Sequence, residues 1–306
     1  MIVRVLGSAA GGGFPQWNCA CLNCQGVRDG SVLAVARTQE SLCIGTGTGD
    51  WFILNASPDI HAQIEGFPPL HPRQLRHSPV QAIFLTNGDL DHCLGLFSLR
   101  ENHRLAVYAT DTVWRGFMDD NLLCRTLQRF PGQLTWRNVK PGLEETVLCM
   151  DGRPSGLSVQ AMAVPGKLPV HLEGLASSSD PEVNIGLKFR ETASRRVLAY
   201  LPAVGSVQPS LMEWLHDADL ILFDGTFWSE DELSASGILK KSAADMAHCP
   251  ISGHHGSLAA LQALKARRVF IHINNTNPIL REDSSERRAV EAAGWEVAHD
   301  GMEMTV

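Results

Sequence analysis

No stretch of this chain reaches the roughly 20 consecutive apolar residues of a membrane-spanning helix, so no transmembrane segment is expected. Basic residues are not in excess: 26 Lys and Arg stand against 33 Asp and Glu, a formal net charge of −7. A nucleic-acid-binding domain would carry a basic face, so that class is excluded, and the acidic balance mainly aids solubility. The start, Met1-Ile2-Val3-Arg4-Val5-Leu6-Gly7, lacks a charged leader and a long apolar stretch. It reads as a strand and not as a signal peptide, and a cytoplasmic location is expected. Short-period repeats and low-complexity linkers are missing too.

What is present is a chain of 306 residues, 44% of them hydrophobic, enough to bury a sizeable core. Strand-like runs alternate with helical ones. Met1–Leu6, Val80–Thr86, Leu105–Ala109, Leu157–Val164, Leu220–Phe223, Val269–Ile273 and Trp295–Val297 read as strands. Ser41–Ile44 with Trp51–Asn55, and Asn184–Arg190 with Arg196–Leu201, read as hairpins. Helices are predicted over Asp111–Asp120, Ser210–Asp217, Ser257–Ala266 and Ser284–Ala293, and one starts at Ser57-Pro58-Asp59 with Ser57 as cap. Leu172–Pro181 reads as a mobile loop. Each half thus has hairpins early and strand–helix units late. The expectation is an α/β fold of two mixed sheets packed face to face with helices outside, in two related halves.

Eight cysteines are present. In a reducing compartment they stay thiols or bind metal. Cys43, Cys93, Cys124, Cys149 and Cys249 are scattered and expected to be buried packing residues. Cys19, Cys21 and Cys24 instead form Cys-x-Cys-x-x-Cys in a loop. Three thiolates that close can face one tetrahedral ion, and a closed four-ligand site of this kind is structural zinc. The fourth ligand must come from elsewhere in the chain.

The strand Val80–Leu85 runs into Thr86-Asn87-Gly88-Asp89-Leu90-Asp91-His92. Carboxyl ends of strands are where α/β proteins place their sites. The segment resembles the metallo-β-lactamase superfamily, whose signature here is His-x-His-x-Asp-His. Asp91 and His92 stand at its Asp and His, and Asn87 and Asp89 replace its two leading histidines. Asp224 in Phe223-Asp224-Gly225-Thr226, the pair His254-His255 before a helix, and His272 at the end of the last core strand extend the resemblance. It implies a four-layer αββα sandwich formed by residues 1–306 as one domain, with a zinc knuckle at 17–26.

Three longer stretches are similar to a narrower family, PqqB, of pyrroloquinoline quinone (PQQ) biosynthesis: residues 7–19, Asn-Ala-Ser-Pro-Asp-Ile at 55–60, and His-Ile-Asn-Asn-Thr-Asn-Pro-Ile-Leu at 272–280. That resemblance implies work on a precursor derived from a Glu–Tyr-containing peptide, alongside other proteins of the pathway. It is compatible with a homodimer.

Losing both leading histidines weakens the first metal position of the superfamily, because asparagine is a poor ligand beside imidazole. The second position keeps Asp91 and His92. With one more histidine, His254 or His255, it forms a two-histidine, one-carboxylate set suited to Fe(II) and O₂. The family resemblance points the same way, to hydroxylation of a tyrosine ring to a catechol. Asp224 is expected as a further ligand or an orienting partner. Asn87, Asp89, Ser57 and Asn275 are expected to line the substrate pocket. His272 is claimed by both metals, and the reading favours it as the zinc's fourth ligand. Two alternatives stand beside the hydroxylase: a non-catalytic carrier assisting transport of PQQ or its precursor to the periplasm, and a metallohydrolase trimming the precursor peptide.

Overall fold

In the computed structural model, which describes residues 1–119, 121–177 and 179–306, the strands are β1 (Ile2–Gly7), β2 (Ser41–Gly45), β3 (Trp51–Leu54), β4 (Val80–Phe84), β5 (Leu105–Ala109), β6 (Leu134–Asn138), β7 (Glu144–Leu148), β8 (Pro154–Ala163), β9 (Ile185–Glu191), β10 (Val197–Leu201), β11 (Leu220–Asp224), β12 (Arg267–Ile271), β13 (Trp295–Val297) and β14 (Glu303–Thr305). Among the described residues they form two seven-stranded sheets, ordered β14-β1-β2-β3-β4-β5-β6 and β13-β12-β11-β10-β9-β8-β7.

Each sheet begins with antiparallel pairs and continues with parallel ones. In the first, β14–β1, β1–β2 and β2–β3 are antiparallel, and β3–β4, β4–β5 and β5–β6 are parallel. In the second, β7–β8, β8–β9 and β9–β10 are antiparallel, and β10–β11, β11–β12 and β12–β13 are parallel. The expected two mixed sheets in two related halves are therefore present. Both predicted hairpins form, the first closing through Gly47 and Gly49 at φ 78° and 85°, a region that favours glycine.

Alternation along the strands sorts side chains between layers. Phe52 and Leu54 of β3, Phe84 of β4, Phe189 of β9 and Leu222 of β11 meet in the core between the sheets. Ile53 and Ile83 face the other way, under a layer containing Val113 and Phe117. Ile221, Phe223 and Phe270 face outward from the second sheet onto Leu211, Leu215 and Val290. The helices carrying these side chains, Asp111–Met118, Pro209–Leu215 and Ser285–Ala292, make the outer layers.

Several boundaries differ from expectation. The helix expected over Ser257–Ala266 spans Ser257–Ala260. The one expected to start at Ser57 begins at Ile60, with Asp59 at the cap position, because the Ser57 hydroxyl is taken by Gln63 and the Asp59 N–H. Cys24 lies not in a loop but in a helix, Leu22–Asp29, with Cys21 as cap residue. Part of the predicted loop Leu172–Pro181 is a short turn, Val170–Leu172, with Leu172 wholly buried. Asp120 and Ser178, which fall within the predicted helix and loop, lie outside the described residues. None of the described helices is long and apolar enough to cross a membrane.

Candidate metal centre

The carboxyl ends of the parallel strands converge on one cavity of about 220 Å³. After β4 the chain turns at Asn87, and a short helix, Leu90–Cys93, presents Asp91 and His92. Gly95 lets that segment dock: a Cβ there would lie 2.2 Å from the Ser57 carbonyl oxygen. After β11 comes Asp224 with Thr226, and after β12 comes His272, held at φ 58° in the left-handed region that costs a histidine strain.

Two donor groups emerge, Asp91–His92–His272 and Asp224–His248–His272, each with ligand atoms within 4.8 Å of one another. Hydrogen bonds separate them. In the second, Asp224 is saturated. Its Oδ1 accepts from the Thr226 N–H at 2.9 Å and hydroxyl at 2.6 Å. Its Oδ2 accepts from the Val204 N–H at 2.8 Å and His248 Nδ1 at 2.7 Å. Neighbouring His248 and its hydrogen bonds hold the Asp224 carboxyl below the usual range against the upward push of burial. This group is a closed Asp–His pair on the Nδ1 side, and His248, whose Nε2 has no hydrogen-bond partner among the described residues, lines the cavity.

The first group is the open one. The Thr226 hydroxyl spends its proton on Asp224, so its oxygen accepts from His272 Nδ1 at 2.8 Å. That leaves His272 Nε2 to donate to Asp91 Oδ2 at 3.2 Å while the ring is protonated, and to present a lone pair once a cation displaces that proton. His92 Nδ1 donates to Asn87 Oδ1 at 2.7 Å, which puts its lone pair on Nε2. That atom is buried and, among the described residues, has no hydrogen-bond partner. It lies 3.8 Å from Asp91 Oδ2 and 3.6 Å from Glu40 Oε2. Two imidazole Nε2 atoms facing one carboxylate, one of them buried and unpaired, suit a cation. Electrostatics agree. Burial pushes His92 down to about 4, keeping it neutral. Burial also disfavours charge on His272, yet hydrogen bonding to Asp91 and the charges of Asp91, Asp224 and Glu40 raise it to about 9. Asp91 is held well below the usual carboxylate range by both histidines, although burial alone would raise it. The proton on His272 thus stands in for the cation.

Asn87 is part of the scaffold. Its amide donates to Asn184 Oδ1 at 3.2 Å, and the Asn184 amide donates to the Ala203 carbonyl at 2.9 Å. This chain of amides fixes the ring of His92. Asp89 does line the cavity, and burial and the Asp91 charge raise it to about 6.

Five residues sit elsewhere than expected. His254 and His255 are exposed and stack on each other, ring centroids 5.0 Å apart, outside both donor groups. His272 supplies the second imidazole of the open group. Ser57 is buried against Gln63 and does not line the cavity. Asn275 lies on the knuckle: its Nδ2 is 3.2 Å from the sulfurs of both Cys19 and Cys24, and 3.7 Å from that of Cys21. His272 is therefore not the residue that faces the three thiols. The other five cysteines are buried, as expected.

Sequence reasoning missed His248, Asn184, Thr226 and Glu40. Glu40 is fully buried, accepting from Asn55 Nδ2 at 3.0 Å and from the Tyr200 hydroxyl. Burial raises it to about 7. His248 sits in a loop between short elements with no spacing signal. A polar residue directly before a strand was the available hint for Glu40, and one two residues beyond a strand end for Thr226.

Two sheets face to face with candidate metal-donor groups at their carboxyl edge are the arrangement of the metallo-β-lactamase class. Residues 50–273 match the family described as beta-lactamase superfamily domain. The chain is 41% identical over 310 residues to coenzyme PQQ synthesis protein B of Stutzerimonas stutzeri, covering 99% of both. It is 42% identical over 306 residues to the protein of that name from Methylorubrum extorquens, again covering 99% of both. The solved structure of Zn(2+)-bound PqqB from Methylobacterium extorquens matches with a TM-score of 0.90 at 40% identity, covering 100% of both chains. A diphosphatase from the PhnP family shares the fold, with a TM-score of 0.65 at 21% identity, covering 100% of this chain and 97% of that one. The chain belongs to the coenzyme PQQ synthesis protein B family.

Proposed function

We propose that this protein acts in PQQ biosynthesis as an iron- and O₂-dependent hydroxylase that converts the tyrosine of a Glu–Tyr-derived precursor to a catechol. The observation that carries the reading is the donor set: His92 Nε2, His272 Nε2 and the Asp91 carboxylate aim at one point, with the histidine-bearing first position of the superfamily replaced by the Asn87–Asn184 amide chain. Two imidazoles and one carboxylate with open positions suit iron(II). Bound there, iron(II) would supply O₂ activation. With that chemistry one oxygen atom would enter the ring, and the other would leave as water with two electrons and two protons from an added reductant such as ascorbate.

The chain's own residues do the rest. Asn87 and Thr226 fix the tautomers of the two histidines. Asp224 holds His248 with Nε2 free, which places a proton acceptor for the substrate phenol beside His272, their rings 5.4 Å apart. Tyr200 and Asn55 keep Glu40 hydrogen-bonded behind His92. At the knuckle, Cys19, Cys21 and Cys24 hold zinc, and Asn275, turned about its last bond, offers Oδ1 as fourth donor. That site serves folding.

The test is to purify the protein without oxygen, load iron(II), and add Glu–Tyr, ascorbate and O₂. A product heavier by one oxygen atom is expected. Cleavage with zinc and no oxygen would instead support the hydrolase. Tight PQQ binding with no turnover at full iron loading would support the carrier.

A further inference from the structure

Among the described residues lining the cavity, Lys167 is the one lysine or arginine. The acidic side chains there are Asp89 and Asp91, and the lining histidines are already paired, His272 with Asp91 and His248 with Asp224. Lys188 is ion-paired with Asp217, whereas Lys167 has no such partner among the described residues. Lys167 is exposed, and the three residues before it are held in place. Val164 N donates to the Asn184 carbonyl at 3.1 Å, and Gly205 N donates to the Pro165 carbonyl at 2.6 Å. Gly166 presses so close to Asn184 that a Cβ would lie 2.4 Å from its Nδ2. Asn184 is the residue that holds Asn87, and Asn87 holds His92. One amide chain therefore ties the segment bearing the cation to the segment bearing a metal ligand.

We propose that Lys167 is the carboxylate anchor of this cavity: it selects an anionic precursor and sets the distance of its ring from the metal centre. The proposal rests on the reading of this cavity as the substrate site. An acidic substrate in this cavity meets the charges of Asp89 and Asp91, and an ammonium lining the same cavity offsets that repulsion and offers a charge-assisted hydrogen bond.

Binding, not turnover, is the test. The zinc-loaded holoprotein is titrated calorimetrically under nitrogen with Glu–Tyr and with Gln–Tyr amide, in which both carboxylates are neutral. Wild type is expected to bind Glu–Tyr about tenfold or more tightly than the amide. Lys167→Met should lose that preference while binding the amide as wild type does, and Lys167→Arg should restore most of it. Equal binding of the two ligands by wild type, no binding of either, or an undiminished preference in Lys167→Met would each overturn the proposal. Preferential binding without oxygen insertion in the aerobic iron assay would overturn the hydroxylase reading and leave the anchor standing.

Discussion

Thr226→Val removes one hydroxyl that three groups of the site share, at 2.6 Å from Asp224 Oδ1, 2.8 Å from His272 Nδ1 and 3.1 Å from His248 Nδ1. Valine has nearly the same shape, so the loss is one of hydrogen bonds and not of packing. Asp224 Oδ1 keeps the Thr226 N–H, but His272 Nδ1–H is left without its partner in a buried position. Orphaning one buried donor costs about 1–3 kcal/mol. Removing the orienting partner of a ligating histidine weakens metal about 10–100-fold, equivalent to about 1.4–2.8 kcal/mol. The assay is chelator competition for the second equivalent of metal, with the knuckle already filled, alongside urea unfolding of the metal-free protein. Thr226→Ser should behave as wild type. If Thr226→Val bound the second metal within about threefold of wild type, the claim that this hydroxyl sets the His272 tautomer would be refuted.

Other outcomes follow from the same geometry. His254→Ala and His255→Ala should leave metal stoichiometry and affinity unchanged, whereas His92→Ala should remove the second metal, all checked by metal analysis of the purified variants. His248→Ala should keep that metal and lose turnover, since His248 is spoken for by Asp224. Metal affinity at the open site should rise with pH. His272, raised to about 9 in the metal-free protein, must release its proton to bind, so apparent affinity climbs up to about tenfold per unit from pH 7 and flattens above about pH 9. The sign for stability is opposite: the raised pKa stabilises the metal-free fold in full below about pH 6.5 and that contribution is lost as pH rises through about 9, measurable as unfolding free energy against pH with a chelator present. Cys24→Ser should release one equivalent of zinc and lower the melting temperature, while metal analysis still finds the second ion.

Much of this was legible in the chain. The hairpins at Gly47–Gly49 and before Arg196, and the β-branched runs at Val80 and Leu220, carry local signals that tertiary packing only reinforced. The resemblance picked out Asp91, His92, Asp224 and His272, which the fold gathers into two neighbouring donor groups. What misled was proximity in sequence. His254-His255 looks like a ligand pair because two imidazoles adjoin, yet here the two rings stack on each other at the exposed surface, outside both donor groups. His248, six residues earlier, carries no motif, and only the loop's path from β11 brings it onto Asp224. His272 was drawn towards the zinc because its strand runs beside the knuckle. Two residues decide the matter: the turn at His272 sends its ring into the cavity, and Asn275, three positions on, reaches the thiols instead. Asn87 reads in sequence as a lost ligand, and its role in orienting His92 depends on Asn184, a residue from the other half of the chain.

The most direct test of the central claim is anomalous diffraction at the iron edge from crystals of the iron-loaded protein grown without oxygen. The expected result is one iron peak bonded to His92 Nε2, His272 Nε2 and the Asp91 carboxylate, with Asp224 still hydrogen-bonded to His248. An iron peak bonded to Asp224 and His248, or two metal peaks in the cavity, would contradict it.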